Sequence, residues 1–190
     1  MRNKRIVTIL VLFVLSFALS LMPVLAQYNS STNPASIGAP ARSMIELGSV
    51  YSNIYDITIT VLETIRGKEA MDRLKTASPE NSAPSKGFEY ILARVKFEMK
   101  GRAVTDTLTF DLGNAPLQWV CLASDLTEYP QVSVLVPEPA LIGTVKPGDS
   151  MEGWVAFAVD RKDSKPIMVF DPDSGGATGR GRTLFFKLYR

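Results

Sequence analysis

Between residues 88 and 99 every second side chain is apolar, and no other feature of the chain restricts its fold as strongly. Ile91, Ala93, Val95, Phe97 and Met99 fall on one face of a strand, since successive side chains of extended backbone alternate sides. The opposite face changes from apolar Tyr90 and Leu92 to Arg94, Lys96 and Glu98, so one end of this strand is expected under a cover and the other in water. Tyr55, Ile57, Ile59 and Val61 alternate with Asp56, Thr58 and Thr60 in the same manner. Val104, Leu108, Phe110 and Leu112 alternate with threonines. Further strands are expected over 117–122, 132–136, 151–159, 167–170 and 183–189, spaced by Pro and Gly turns, which brings the count to about eight.

Helical spacing occurs only over 68–76, where Ala70, Met71 and Leu74 share a face and Lys68, Glu69, Asp72, Arg73 and Lys75 form the wet side. A parallel sheet would need a crossover of about ten or more residues, usually a helix, between most strands. The reading is therefore all-β, an antiparallel sandwich with one short helix. Pro147, Gly148 and Asp149 set a turn into a strand that carries Trp154.

The N-terminus spends much of the apolar content elsewhere. Arg2, Lys4 and Arg5 precede an uncharged, predominantly apolar run over 6–22, followed by Pro23 and then Val24, Leu25 and Ala26. That order is a targeting signal, expected to be cleaved after Ala26, or else retained as an anchor that crosses a membrane through residues 6–22. Three domains follow: a signal peptide or anchor over 1–26, a flexible tether over 27–47 rich in Ser, Asn, Pro and Ala, and a folded domain over 48–190. The chain is expected to be secreted or extracytoplasmic, membrane-anchored if the segment stays. No Cys follows the run, so lipid attachment there is not expected.

The net charge of +2 and pI of about 8.7 reflect that segment. Residues 1–26 hold three of the 21 basic residues and none of the 19 acidic ones, which leaves the exported part slightly acidic and without the basic footprint of a nucleic-acid binder. Asn29, Ser30 and Ser31 spell a glycosylation acceptor, read as a chance occurrence.

Chemistry is constrained by what the chain lacks. With no His, catalytic triads that use imidazole and imidazole zinc sites are excluded. Cys121 has no partner for an internal disulfide and is expected to face the core as a small hydrophobe, the sharper alternative being a reactive thiol. Residues 176–183 approach a phosphate-binding loop, with Arg182 where Lys belongs, but should lead into a strand instead of a helix. Asp171 and Asp173 begin like a calcium loop, although Gly175 takes the third acidic position and no closing Glu follows; they are the only candidate metal ligands. Asp106, Glu128, Asp149, Glu152 and Asp160 read as solvated carboxylates, not as a hydrolytic pair. No catalytic residue and no cofactor is expected.

Residues 55–61, 65–70, 87–95 and 146–157 together resemble the secreted prokaryotic immunoglobulin-like domains of unknown function, related to the immunoprotective extracellular proteins and sometimes mislabelled as telomere-binding factors. The resemblance implies export, an immunoglobulin-like antiparallel β-sandwich of about 7–9 strands, and binding or envelope association with no catalytic residues to carry over. The leading expectation is an exported, non-catalytic binding or adhesion module whose partner is an extracellular protein or a surface glycan. The alternatives are a carboxylate-dependent extracellular hydrolase and a purely structural envelope protein.

Overall fold

The computed structural model describes residues 29–48, 53–113, 118–173 and 179–190; the expected signal or anchor segment over 1–26 lies outside them. In chain order the elements are β1 (Pro40–Leu47), β2 (Asn53–Arg66), α1 (Lys68–Ala77), β3 (Phe88–Gly101), β4 (Phe110–Leu112) and β5 (Trp119–Leu122). Then come β6 (Gly143–Val145), β7 (Ser150–Asp160), β8 (Ile167–Phe170), β9 (Gly179–Gly181) and β10 (Leu184–Lys187). No helix among the described residues is long and apolar enough to cross a membrane.

One five-stranded sheet has the order β7-β3-β2-β1-β9, and a three-stranded sheet, β10-β8-β5, faces it together with the pair β4-β6. Every ladder within these sheets is antiparallel. Among the described residues the expected all-β sandwich with one short helix is the observed architecture. Between the layers lies a core built from alternate residues: Ile57, Ile59 and Val61 of β2, Val95 and Phe97 of β3, Phe110, and Met168 and Phe170 of β8. Phe97 and Phe110 stack with centroids 5.6 Å apart, and Phe170 closes on both. Cys121 belongs to this core and is 2% exposed.

A second apolar layer covers part of the outer face. Tyr90 and Leu92 of β3 lie with Ile65, Ala70, Leu74 and Trp154, whereas Arg94, Lys96 and Glu98 further along the strand form ion pairs in water. The change of polarity along residues 88–99 thus marks where α1 stops covering the sheet. A bulge makes this cover possible. Val61 pairs with Val95 but Glu63 pairs with Arg94, so Leu62 is an extra residue. Unbroken alternation would send Glu63 and Ile65 toward the core; the bulge turns Glu63 out to Arg94 and places Ile65 beneath α1.

Deletion of Leu62 therefore keeps every side chain on its present face, and its thermal midpoint is expected to stay close to that of the parent. Deletion of Thr60 reverses the faces of all residues before it in β2, and no cooperative unfolding transition should remain. Equal sensitivity of the two deletions would contradict the assignment.

Three expectations are corrected. Residues 29–47 of the expected tether are instead part of the domain: residues 40–47 are β1, interior to the large sheet, with Ala41, Ile45 and Leu47 buried. Residues before it lie along β10, where Ala35 N–H donates to Phe185 O at 2.9 Å and Lys187 N–H to Ala35 O at 2.8 Å. Asn29 completes this edge, its amide donating to Phe185 O at 2.7 Å and accepting from Phe185 N–H at 2.8 Å, so the acceptor-like Asn has a structural partner. Second, the strand expected from Val104 to Leu112 shrinks to β4, because Asp106 accepts from Arg102 N–H and Ala103 N–H and fixes a turn that leaves Val104 fully exposed. Third, residues 132–136 alternate as read but pair with no strand.

Candidate functional site

β7 is an edge of the large sheet, and the register shows which of its backbone groups are used. Met99 N–H donates to Asp149 O and Arg161 N–H to Gly87 O, so odd-numbered residues exchange bonds with β3 and even-numbered ones point to the free side. Trp154 confirms the parity. Its N–H donates to Pro139 O at 2.9 Å and its carbonyl accepts from Leu141 N–H at 3.1 Å, across one parallel bridge between Ala140 and Trp154. Gly153 permits that approach, since a Cβ there would stand 2.5 Å from Ala140 C and Leu141 N. After Leu141 the chain departs into β6 to pair with β4. Among the described residues no backbone hydrogen bond reaches Ala156 or Ala158 from outside the sheet.

Beside this bare stretch runs the segment 131–142. It makes no ladder of its own; Asn81 holds it, accepting from Leu135 N–H at 2.8 Å and donating to Leu135 O and Leu74 O at 2.7 Å each. Asn81 is 5% exposed, and it gives Leu135 the two bonds that a neighbouring strand would supply. Val132, Val134 and Val136 then pack on Trp154 and the α1 layer.

The result is a cleft of about 400 Å³ between the segment and the β7 edge, lined by Trp119, Val134, Ile142, Trp154, Ala156 and Phe157 among others. Glu138 is the one charged lining residue, and Leu135 and Ile142 at the rim are 66% and 61% exposed. Trp119 is 5% exposed, and its indole N–H has no hydrogen-bond partner among the described residues. A buried donor without an acceptor is costly, and the cleft beside it combines apolar surface with the unspent backbone groups of Ala156.

Other hollows, of about 590, 610 and 720 Å³, share Arg42 on the outer face of β1 and β2. Their charges are mixed and in part already countered, Arg102 by Asp56 at 2.6 Å and Arg180 by Glu46 at 3.5 Å. They offer neither sorted charge nor apolar depth.

Around Cys121 the chemistry is that of a clamp. Burial, and then the nearby charge of Asp163, push the Cys121 thiol far above its ordinary range, against the reactive-thiolate alternative. Asp163 accepts from Ser124 Oγ, Ser124 N–H, Lys165 N–H and Tyr129 Oη, the last at 2.9 Å, tying the 121–129 turn to the 160–165 turn. Burial raises its carboxyl pKa, but the hydrogen bonds, led by Ser124, outweigh this and hold it below the usual 3.8. Tyr129 is raised from 10.0 to about 12 by burial and then by its bond to Asp163. A phenol with a raised folded pKa stabilises the fold fully below pH 10 and loses that contribution as pH rises to about 12. Tyr129→Phe should abolish this alkaline limb of the stability profile and, by removing the hydrogen bond to the Asp163 carboxylate, lower near-neutral stability by about 1–2 kcal/mol; an identical limb in the variant would remove the assignment.

The segment that begins like a calcium loop, with Asp171 and Asp173 as candidate ligands, is a polar turn in its described part. Asp171 Oδ1 accepts from Asp173 N–H at 3.1 Å, and residues 174–178 lie outside the described residues. Among the described residues no cluster of three or more His, Cys, Asp or Glu could hold a metal ion. Residues 179–181 of the phosphate-loop near miss are β9, paired with β1, and open no helix. Of the carboxylates read as solvated, Asp106 and Asp160 cap turns and Glu152 pairs with Arg94. Sequence reasoning missed Asn81 and the free edge; the uncharged run 155–159 was the only signal of the latter.

No family model matches the chain, including any for the family that the motifs resemble, and no curated protein matches it. Among solved structures, that of YcdA, described as a candidate lipoprotein of Bacillus subtilis subsp. subtilis str. 168, is similar over 69% of this chain, with 15% identity and a TM-score of 0.47. The match covers 36% of that protein, so this chain spans little more than a third of its length.

Proposed function

We propose that this protein is an exported, non-catalytic binding module of the envelope or extracellular space, and that it recognises its partner through the cleft beside β7. Export rests on the basic flank, the apolar run over 6–22 and the cleavage-like end at Ala26. Recognition rests on one observation, the concave, nearly uncharged apolar site between the 131–142 segment and the β7 edge.

A protein partner is favoured over a glycan. Sugar binding calls for aromatic faces open to solvent, whereas Trp119 and Trp154 are 5% and 6% exposed. Leu135 and Ile142 can be changed without disturbing the core, because both are mostly exposed. Binding of the exported domain to an envelope fraction should fall at least about tenfold in Ile142→Asp and Leu135→Asp, with unchanged circular dichroism. Retention of full binding by both variants would refute the assignment of the cleft.

A further inference from the structure

We infer that the free edge of β7 takes up an extended, uncharged segment of a partner protein as an added strand; the inference rests on the cleft being the recognition site and names the form of its occupant. Ala156 turns its backbone N–H and C=O to the free side, and no backbone partner meets them among the described residues; Ala158 shares that parity but is 8% exposed, so the open stretch centres on Ala156. Natural edge strands are usually blunted by Lys, Pro, a bulge or a covering loop. Residues 155–159 read Val-Ala-Phe-Ala-Val, without charge or Pro; the backbone at 139–141 bonds Trp154 alone, and the valines of 132–136 pack over the outer layer while Ala156 still lines the cleft.

The rest of the cleft matches a strand. Extended backbone entering beside Ala156 would place alternate side chains between Trp119 and Phe157 on one side and Val134 and Trp154 on the other. The near-neutral lining, with Glu138 its one charge, selects against charged segments. A second copy of this chain is a poor fit, because each β7 edge is flanked by its own 131–142 segment and two such segments would collide in an edge-to-edge pair.

The test uses the full exported domain and a set of synthetic peptides that alternate Thr with Val, Ile, Leu or Phe, read by fluorescence anisotropy. One or more peptides should bind. N-methylation of alternate amides in one register should weaken that peptide at least about tenfold, while N-methylation in the other register should have little effect, the signature of one-sided strand pairing. Ala156→Pro, which removes an edge-facing N–H and no bond to β3, should weaken binding about tenfold as well. If that variant does not fold, the N-methyl series on the unaltered domain decides. Absence of binding by every peptide, indifference to N-methylation, or a stable dimer paired through β7 would overturn strand addition. Loss of envelope binding in Ile142→Asp alongside no peptide binding would overturn strand addition and leave the cleft as the recognition site; unchanged envelope binding would remove both.

Discussion

Phe97→Ala is expected to destabilise the domain by about 3–5 kcal/mol, at the upper end for truncation of a single core side chain. Phe97 is fully buried and lies at the meeting point of the two layers. It stacks on Phe110 with rings 7° from parallel and meets Phe170 at 5.9 Å, so truncation removes contacts with β4 and β8 at once. Little can collapse into the gap, because neighbouring Val95 and Met99 are fixed in the β2–β3–β7 ladder. Denaturant unfolding should show a lowered midpoint with an unchanged slope. A cost below about 1 kcal/mol would mean that the layers do not pack as described.

Asn81→Ala should cost about 2–4 kcal/mol and, unlike the core variant, should loosen one segment before the rest of the domain. Its amide makes all three contacts that tie Leu135 to the end of α1, and removal strands Leu135 N–H and Leu135 O, while Leu74 O keeps its bond from Ser78 N–H at 2.9 Å. The segment 131–137 has no ladder to fall back on. Emission from Trp154, 6% exposed beneath this segment, should shift to the red at denaturant concentrations where the β-sheet circular dichroism is still intact. Asn81→Asp separates the donor from the acceptor role: it keeps the acceptor for Leu135 N–H but not the donor to the two carbonyls, and should fall between the parent and Asn81→Ala. Coincident loss of both signals in Asn81→Ala would argue against a separately anchored segment.

The fold was legible where alternation is strong and the faces differ. Residues 88–99 announced both a core face and a partial outer cover, and α1 with Trp154 supplies that cover. β1 was hidden because Ala41 and Ser43 are small inward residues and Met44 is an outward apolar one, which blurs the period to the level of a tether. Residues 132–136 failed for another reason. Alternation reports which side chains are covered, and a valine every second residue packs equally well when the backbone is held by an Asn side chain.

The site was the least legible part. Whether Ala156 is paired depends on which chain lies beside β7, and that is decided by the departure of residues 143–145 toward β4. Trp119 lies two residues from Cys121 in the strand expected over 117–122, but nothing in its neighbours along the chain shows that its indole N–H lacks an acceptor. Asn81 sits in a run of Ser, Pro and Glu that reads as a surface connection, and only the fold brings Leu135 to it.

The most direct measurement is residue-resolved amide exchange along β7 in the unliganded domain. Val155 and Phe157 should exchange slowly, held by bonds to β3, while Ala156 between them exchanges faster by orders of magnitude; protection at Ala156 equal to that of its two neighbours would mean that the edge is already paired.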